Sequence, residues 1–374
     1  MRVTNSMLVN NLMRNLNNNY TKVDKLQNMM SSGRKFAHIS DDPIALIYSQ
    51  SARNKIARLS HYQTTVGTAK NWLTQAEVAM MELQQVMADA YSACVDATHD
   101  GKTDSDKINI AQVIGQLREH FVDTLNAAFG DRYVFAAYNT PGDPSSSVIS
   151  NAIKPFVVED GKLFFNGFDL SQFDKMPAEL LSVDITGLDD AAALAKINSL
   201  GLTPTANGID DNMVLFLHKL KNEVLTFDVG PGINMPVTMN GIDLVLYTNI
   251  DDDGNIVVRN AYNVLTDLYI GTNGDAATTP LPASELTKMI KPLQDGQNHL
   301  LMRTAEIGGR TRRLELLEAR YEQDAINYEQ MMSDAEDVDM AEVIMRLTMA
   351  ESVMQAALSA GARIIQTTLM DFLR

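Results

Sequence analysis

The stretch that most limits how this chain can fold is its last, residues 337–374, which holds no proline and a single glycine. Stepping alternately by four and three from Met340 reaches Ile344, Leu347, Glu351, Met354, Leu358, Gly361, Ile365, Thr368 and Phe372. Most of these are apolar, and that spacing draws a narrow stripe along one side of a helix, the pattern of a coiled-coil seam. A stripe needs something to lie against, and the opposite end of the chain offers it. From Val9 the same stepping, with one extra three-residue step at Leu26, reaches Met13, Leu16, Tyr20, Val23, Leu26 and Met30. Two terminal helices with matching seams predict one helical body closed by both ends of the polypeptide.

Length and charge narrow the function. A chain of 374 residues predicts two or three domains. Its net charge of −16 argues against a general nucleic-acid binder, which presents a basic surface. The charge is unevenly spread: residues 1–70 carry ten Lys/Arg against three Asp/Glu, and residues 141–292 carry nine against twenty. Basic and acidic segments of this kind fit pairing within a chain or between copies of it. Cys94 is the only cysteine, so no intrachain disulfide holds the fold. Residues 1–20 are rich in Asn and lack the continuous apolar core of a secretory signal. No run approaches the roughly 18 apolar residues of a membrane span, so no membrane insertion is expected.

In chain order, residues 5–32 read as a helix stopped by Gly33, and Ser40-Asp41-Asp42-Pro43 as the start of the next, which runs to about Thr98. A third helix is expected from about Asp106 to Phe129. Composition changes at Asp131: residues 132–138 have strand character, and Pro141-Gly142-Asp143-Pro144 breaks any regular element. Strands are expected on either side of Asp160-Gly161 and of Asn240-Gly241, with short helices near 190–200, 212–224 and 260–269. Helical character returns near Ser284 and continues to the end, with a long seam at Leu314, Leu317, Tyr321, Ala325, Tyr328 and Met332. The fold class is therefore α+β: long terminal α-helices in a coiled-coil or helical-bundle rod, with a central β-rich insert. The expected domains are 1–40 with 340–374, 41–140 with 285–339, and 141–284.

Catalytic and metal chemistry finds little support. The six histidines are scattered, none in an HExxH arrangement, and Cys94 has no partner for a zinc site. Gly230-Pro231-Gly232 lacks the third glycine and the following helix of a dinucleotide loop, so it reads as a turn. Asp251-Asp252-Asp253-Gly254-Asn255 lacks the distal Glu of a calcium loop and reads as a charged hairpin tip. Arg310, Arg312 and Arg313 precede Glu315 and Glu318 at helical spacing and read as a solvent face. No enzyme activity, metal or cofactor is expected, because no nucleophile, base and orienter converge. A carbohydrate- or adhesin-type binding role for the insert is a rival, without an aromatic cluster to support it.

The seams carry the functional expectation. A stripe of this kind ordinarily packs within its own domain. These stripes lie at the chain's extremities, where segments fray unless tied down. Ordering an isolated pair costs about 1–2 kcal/mol of backbone entropy per residue. A buried Leu, Ile or Met returns about 1.5–3 kcal/mol. The ends are therefore expected to be mobile in a monomer and to order when copies pack together. The residues assigned to subunit packing are Val9, Met13, Leu16, Tyr20, Val23, Leu26, Met340, Ile344, Leu347, Met354, Leu358, Ile365, Leu369 and Phe372.

Short motifs in a fixed order complete the reading. They are Met1-Arg2-Val3-Thr4, Ser32-Gly33-Arg34, Ser40-Asp41-Asp42-Pro43 and the segment 132–140, then Gly308-Gly309-Arg310, Asp339-Met340-Ala341-Glu342, 361–366 and 369–374. In this order the chain resembles the flagellin superfamily, and within it the branch that joins hook to filament, over about residues 1–140 and 285–374. Ala137 and Thr367 stand where the family often has glycine and proline. The resemblance implies a structural protein of the bacterial flagellum, located outside the cell and exported without a cleaved signal peptide. It implies a self-associated ring touching hook-associated protein 1 on one side and flagellin on the other. The flagellar export apparatus and its chaperone would be transient partners. A filament subunit of the flagellin type is the alternative.

Overall fold

The structure, a computed structural model, describes residues 5–36, 38, 40–99, 101–130, 132–136, 154–174, 176, 192, 195–196, 225–250, 254–274 and 279–372, without the side chains of 5, 6, 8 and 363–372. Of the helix expected near 190–200 only residues 192, 195 and 196 are described, and they are helical; the one expected at 212–224 and Asp251–Asp253 lie outside the described residues. The chain forms two compact units, residues 1–61 with 319–374, and residues 62–318. Its class is α+β, with long helices toward both ends and small antiparallel sheets in the central region.

Three helices account for much of the architecture: α1 (Asn5–Ser32), α2 (Pro43–Ala97) and α3 (Asp104–Leu125). Gly33, at φ 71°, ends α1 as a residue without a Cβ can. Asp42 caps α2, its Oδ1 accepting from the amides of Ile44 and Ala45 at 3.1 and 3.0 Å. On α2 every seventh residue is buried: Ala52, Leu59, Val66, Leu73, Met80, Met87 and Cys94. That repeat is a coiled-coil seam of residues small or flexible enough to interdigitate. Thr103, not Asp106, starts α3, through a capping box with Asp106. The helix also ends earlier than expected, because Ala128–Phe129 (β1) pairs with Arg132–Tyr133 (β2).

The central strands are Phe156–Glu159 (β3), Lys162–Phe165 (β4), Phe168–Asp169 (β5), Thr226–Gly230 (β6), Ile233–Pro236 (β7), Leu246–Ile250 (β8) and Ile256–Asn260 (β9). The turn at Asp160-Gly161 is as expected, both residues having positive φ, and β3-β4-β5 form one sheet. The hairpin expected at Asn240-Gly241 does not form. Here β7 pairs instead with β6, and Asn240-Gly241 opens a short helix, Ile242–Val245 (α4), before β8 pairs with β9. The reason is tertiary. Gly241 has helical φ/ψ, donates its amide to Phe135 O at 3.0 Å, and lies so close to the Phe156 ring that a Cβ would come within 2.4 Å. The glycine serves close packing, not a left-handed turn.

The helix Ala261–Asn273 (α5) follows β9 directly and packs on α3. Buried Asn260 holds this corner: its Oδ1 caps α5 and its Nδ2 donates to Leu170 O at 3.1 Å. The last helices are Ala283–Glu336 (α6) and Met340–Phe372 (α7). Gly308-Gly309 does not interrupt α6. Its buried face repeats every seventh residue, through Leu286, Leu293, Leu300, Ile307, Leu314 and Tyr321. A heptad of that length against α2 offsets about 1 kcal/mol of propensity per glycine.

Within residues 62–318, α2 and α6 run antiparallel. Cys94 donates to Leu286 O, Lys70 pairs with Glu318 at 2.8 Å, and a Cβ on Gly296 would meet Met87 Cε at 2.7 Å. The ring of Tyr247 from β8 covers the same glycine, and its hydroxyl donates to Pro292 O at 2.7 Å. The β8–β9 hairpin is thereby fastened to the helical pair.

Candidate assembly surface

In the unit formed by residues 1–61 and 319–374, α1 and α7 pack antiparallel. At one end Gly361 abuts Leu12, whose Cδ2 would lie 2.9 Å from an added Cβ. At the other, Arg34 and Asp337 form an antiparallel bridge. The α1 residues turned toward α7 are Val9, Leu12, Leu16, Asn19, Val23, Leu26 and Met29; on α7 they are Val343, Leu347, Ala350, Met354, Ala357 and Gly361. Both sets step by three and four, as a helical seam must.

The expected seam residues therefore divide. Val9, Leu16, Val23, Leu26, Leu347 and Met354 lie in the intrachain seam. Met13, Tyr20, Met340, Ile344 and Leu358 lie beside it and are exposed. The side chains of Ile365, Leu369 and Phe372 lie outside the described residues, although their backbone is within α7. The sequence reading missed Leu12, Asn19, Val343, Ala350 and Ala357. A 4-3 and a 3-4 stepping from Val9 share every seventh residue, so either passes through Leu16 and Val23. The polar Asn19 and the small Ala350 and Ala357 made the neighbouring set look more apolar than the one used.

Each terminal helix thus carries a second apolar stripe beside its occupied seam. On α7 it includes Met340, Ile344 and Leu358, with Met345, Met349 and Val353 further round; on α1 it includes Met13 and Tyr20, seven residues apart, with Met7 and Met30 exposed at other angles of the helix. The occupied seam itself is thinly sealed, since Val23, Val343 and Leu347 are its only large apolar residues fully buried among those described.

One charged cluster closes this unit. Glu336, the last residue of α6, is buried, and its carboxylate accepts from Ser49 Oγ and from Arg53 Nε and Nη2 at 2.9 and 2.6 Å, with Arg34 at 3.4 Å. Around it Lys35 N donates to Glu336 O at 2.7 Å, Lys35 Nζ to Asp334 O at 2.8 Å, and Val338 N to Gly33 O at 3.1 Å. The bonds from Arg53 hold the Glu336 carboxyl below the ordinary carboxylate range, against the opposing effect of burial. Both interruptions, between α1 and α2 and between α6 and α7, are tied at this one carboxylate.

Other chemistry is sparse. Among the described residues no three His, Cys, Asp or Glu side chains gather as a metal would require, and no helix is long and apolar enough to cross a membrane. Burial pushes the Cys94 thiol up to about 11, which leaves it protonated and unreactive at neutral pH. His299 bonds to Asp243 O and His120 faces Glu82 at 3.0 Å, both as ordinary packing contacts.

Residues 3–140 match the bacterial flagellin N-terminal helical region, which takes in α1, α2 and α3. The particular resemblance runs over nearly the whole length. The chain is 22% identical over 365 residues to flagellar hook-associated protein 3 of Escherichia coli K12, covering 96% of each. It is 24% identical over 119 residues to a flagellin of Clostridium tyrobutyricum, covering 32% of each. A solved structure from Vibrio parahaemolyticus, described as that of a flagellar hook-associated protein, shares the fold, with a TM-score of 0.54. It is 14% identical, over 79% of this chain and all of that one.

Proposed function

We propose that this chain is a structural adaptor of the bacterial flagellum that joins the hook to the filament as a ring of subunits. The observation that carries this reading is the second apolar stripe on both α1 and α7, which a single chain leaves exposed. Full-length similarity to flagellar hook-associated protein 3 supports the position in the assembly. In this reading the terminal pair 1–40 with 340–374 lines the ring, residues 41–140 with 285–339 surround it, and 141–284 project outward. Hook-associated protein 1 lies on one side and flagellin on the other. The subunits pass through the export apparatus, with a chaperone, and assemble outside the cell.

The mechanism is ordering on assembly. A thinly sealed α1/α7 pair frays in a lone chain and is completed when neighbours cover Met13, Tyr20, Ile344 and Leu358. The test is electron microscopy of cells lacking this protein, which should show hooks without filaments. Normal filaments on such cells would overturn the junction role. The match to a flagellin over 119 residues supports a filament subunit as the second reading. Copy number separates the two, because a junction ring holds few copies per flagellum and a filament very many.

A further inference from the structure

We propose that the outward face at the start of α2 docks onto the outward face at the end of α6 of a second copy, a contact between two different surfaces of the same chain. Ile44, Ile47 and Tyr48 are 69%, 68% and 62% exposed. They lie at i, i+3 and i+4, so they form one apolar face. Ser51 and Arg58 continue that face. A shallow groove of about 470 Å³ runs along it, bordered by Ile47, Ser51, Asn54 and Arg58. From Pro43 to Ala76 the helix has no acidic residue, and Arg58 has no ion pair among the described residues.

The end of α6 is the complement. Residues 319–336 hold five acidic side chains and one basic. Ile326, 59% exposed, stands between Glu322 and Glu329 on one helix face, and neither glutamate has a partner among the described residues. Glu322 and Glu329 lie about 6 and 4.5 Å to opposite sides of Ile326 along the axis, so with Ile326 seated over Ser51 the glutamate on the Arg58 side comes within reach of that guanidinium, about 10 Å from Ser51. The faces cannot meet within one chain. There the inner sides of the same helices are already joined, by Arg53 to Glu336, and Lys55, which stands on the outward face between Ser51 and Arg58, reaches back over the Tyr328 ring at 5.1 Å. The complement of each face is therefore on another copy. A contact between unlike surfaces propagates into a ring or a helix rather than closing as a dimer.

This inference rests on the reading that copies of the chain assemble, but not on their place in the flagellum. The test uses the full chain in two variants, Tyr48→Cys and Ile326→Cys, mixed under oxidised glutathione. Buried Cys94 stays out of the reaction. The expected result is a mixed disulfide forming at least ten times faster than in either variant alone. It should also form ten times faster than between Tyr48→Cys and Ile256→Cys, a control at another exposed apolar residue. Adding Arg58→Glu to the first variant should abolish that advantage, and Glu322→Arg with Glu329→Arg in the second should restore it. Equal rates in mixed and single samples, or indifference to the charge reversals, would overturn the proposal. Hooks without filaments would still be found if only this contact were wrong.

Discussion

Replacing Glu336 by Gln tests how the terminal unit is held. The carboxylate is nearly buried and takes bonds from Ser49 and Arg53, with Arg34 alongside. Bonds to a charged group contribute about 1.5–3 kcal/mol each, and breaking a buried pair costs about 3–5 kcal/mol. Arg53 and Arg34 are 40% and 53% exposed, so water can take up both guanidinium groups once the charge is gone. The expected loss is therefore at the low end, about 2–3 kcal/mol, or roughly thirty- to a hundred-and-fifty-fold in local opening. Native-state hydrogen exchange reads this directly at the amides of Lys35 and Val338, which bond to Glu336 O and Gly33 O.

The pH dependence has a definite sign. The folded carboxyl titrates below its unfolded value, so its stabilisation is complete above the ordinary Glu range and is lost as pH falls through the lowered value. Protection at Lys35 should then fall as pH drops below the ordinary Glu range in the natural protein and stay flat there in the Gln variant. Protection factors within threefold of each other at neutral pH, or parallel pH profiles, would refute the account.

Three further outcomes follow from packing. Leu347→Ala should cost the α1/α7 pair about 2–3 kcal/mol, while Leu358→Asp should leave the lone chain's unfolding unchanged and abolish incorporation into flagella. Chemical denaturation and microscopy check the two halves, and normal incorporation of Leu358→Asp would count against the outer stripe. Gly309→Ala, with nothing within 4 Å of the new Cβ, should stabilise by about 1 kcal/mol. Gly241→Ala, meeting the Phe156 ring and Phe135 O, should destabilise by about 1–3 kcal/mol, and thermal unfolding separates these two signs. Cys94 should resist a thiol reagent at neutral pH until the chain unfolds, which a colorimetric titration with and without denaturant reads.

The long helices were legible because their signals are local and repeated. Gly33 and Asp42 mark ends by their own chemistry, and the seam of α6 from Leu314 to Met332 recurs at three and four. What failed depended on distant partners. Asn240-Gly241 has the composition of a tight hairpin, yet Phe135 and Phe156, over eighty residues away in sequence, decide its conformation. The choice between Met13 and Leu12 as the seam residue rests on a partner helix more than three hundred residues further on. Glu336 gave no signal, because a lone Glu at a helix end looks like any surface charge until Ser49 and Arg53 are brought to it.

The two interruptions tied at Glu336 have a mechanical meaning. Neither α1 into α2 nor α6 into α7 is a continuous column at that level. A bending or twisting load on the terminal pair must cross short linkers, a few backbone bonds and one carboxylate instead of running down a stiff axis. Compliance is concentrated there, so strain would be absorbed at a joint and the helices on each side would stay straight.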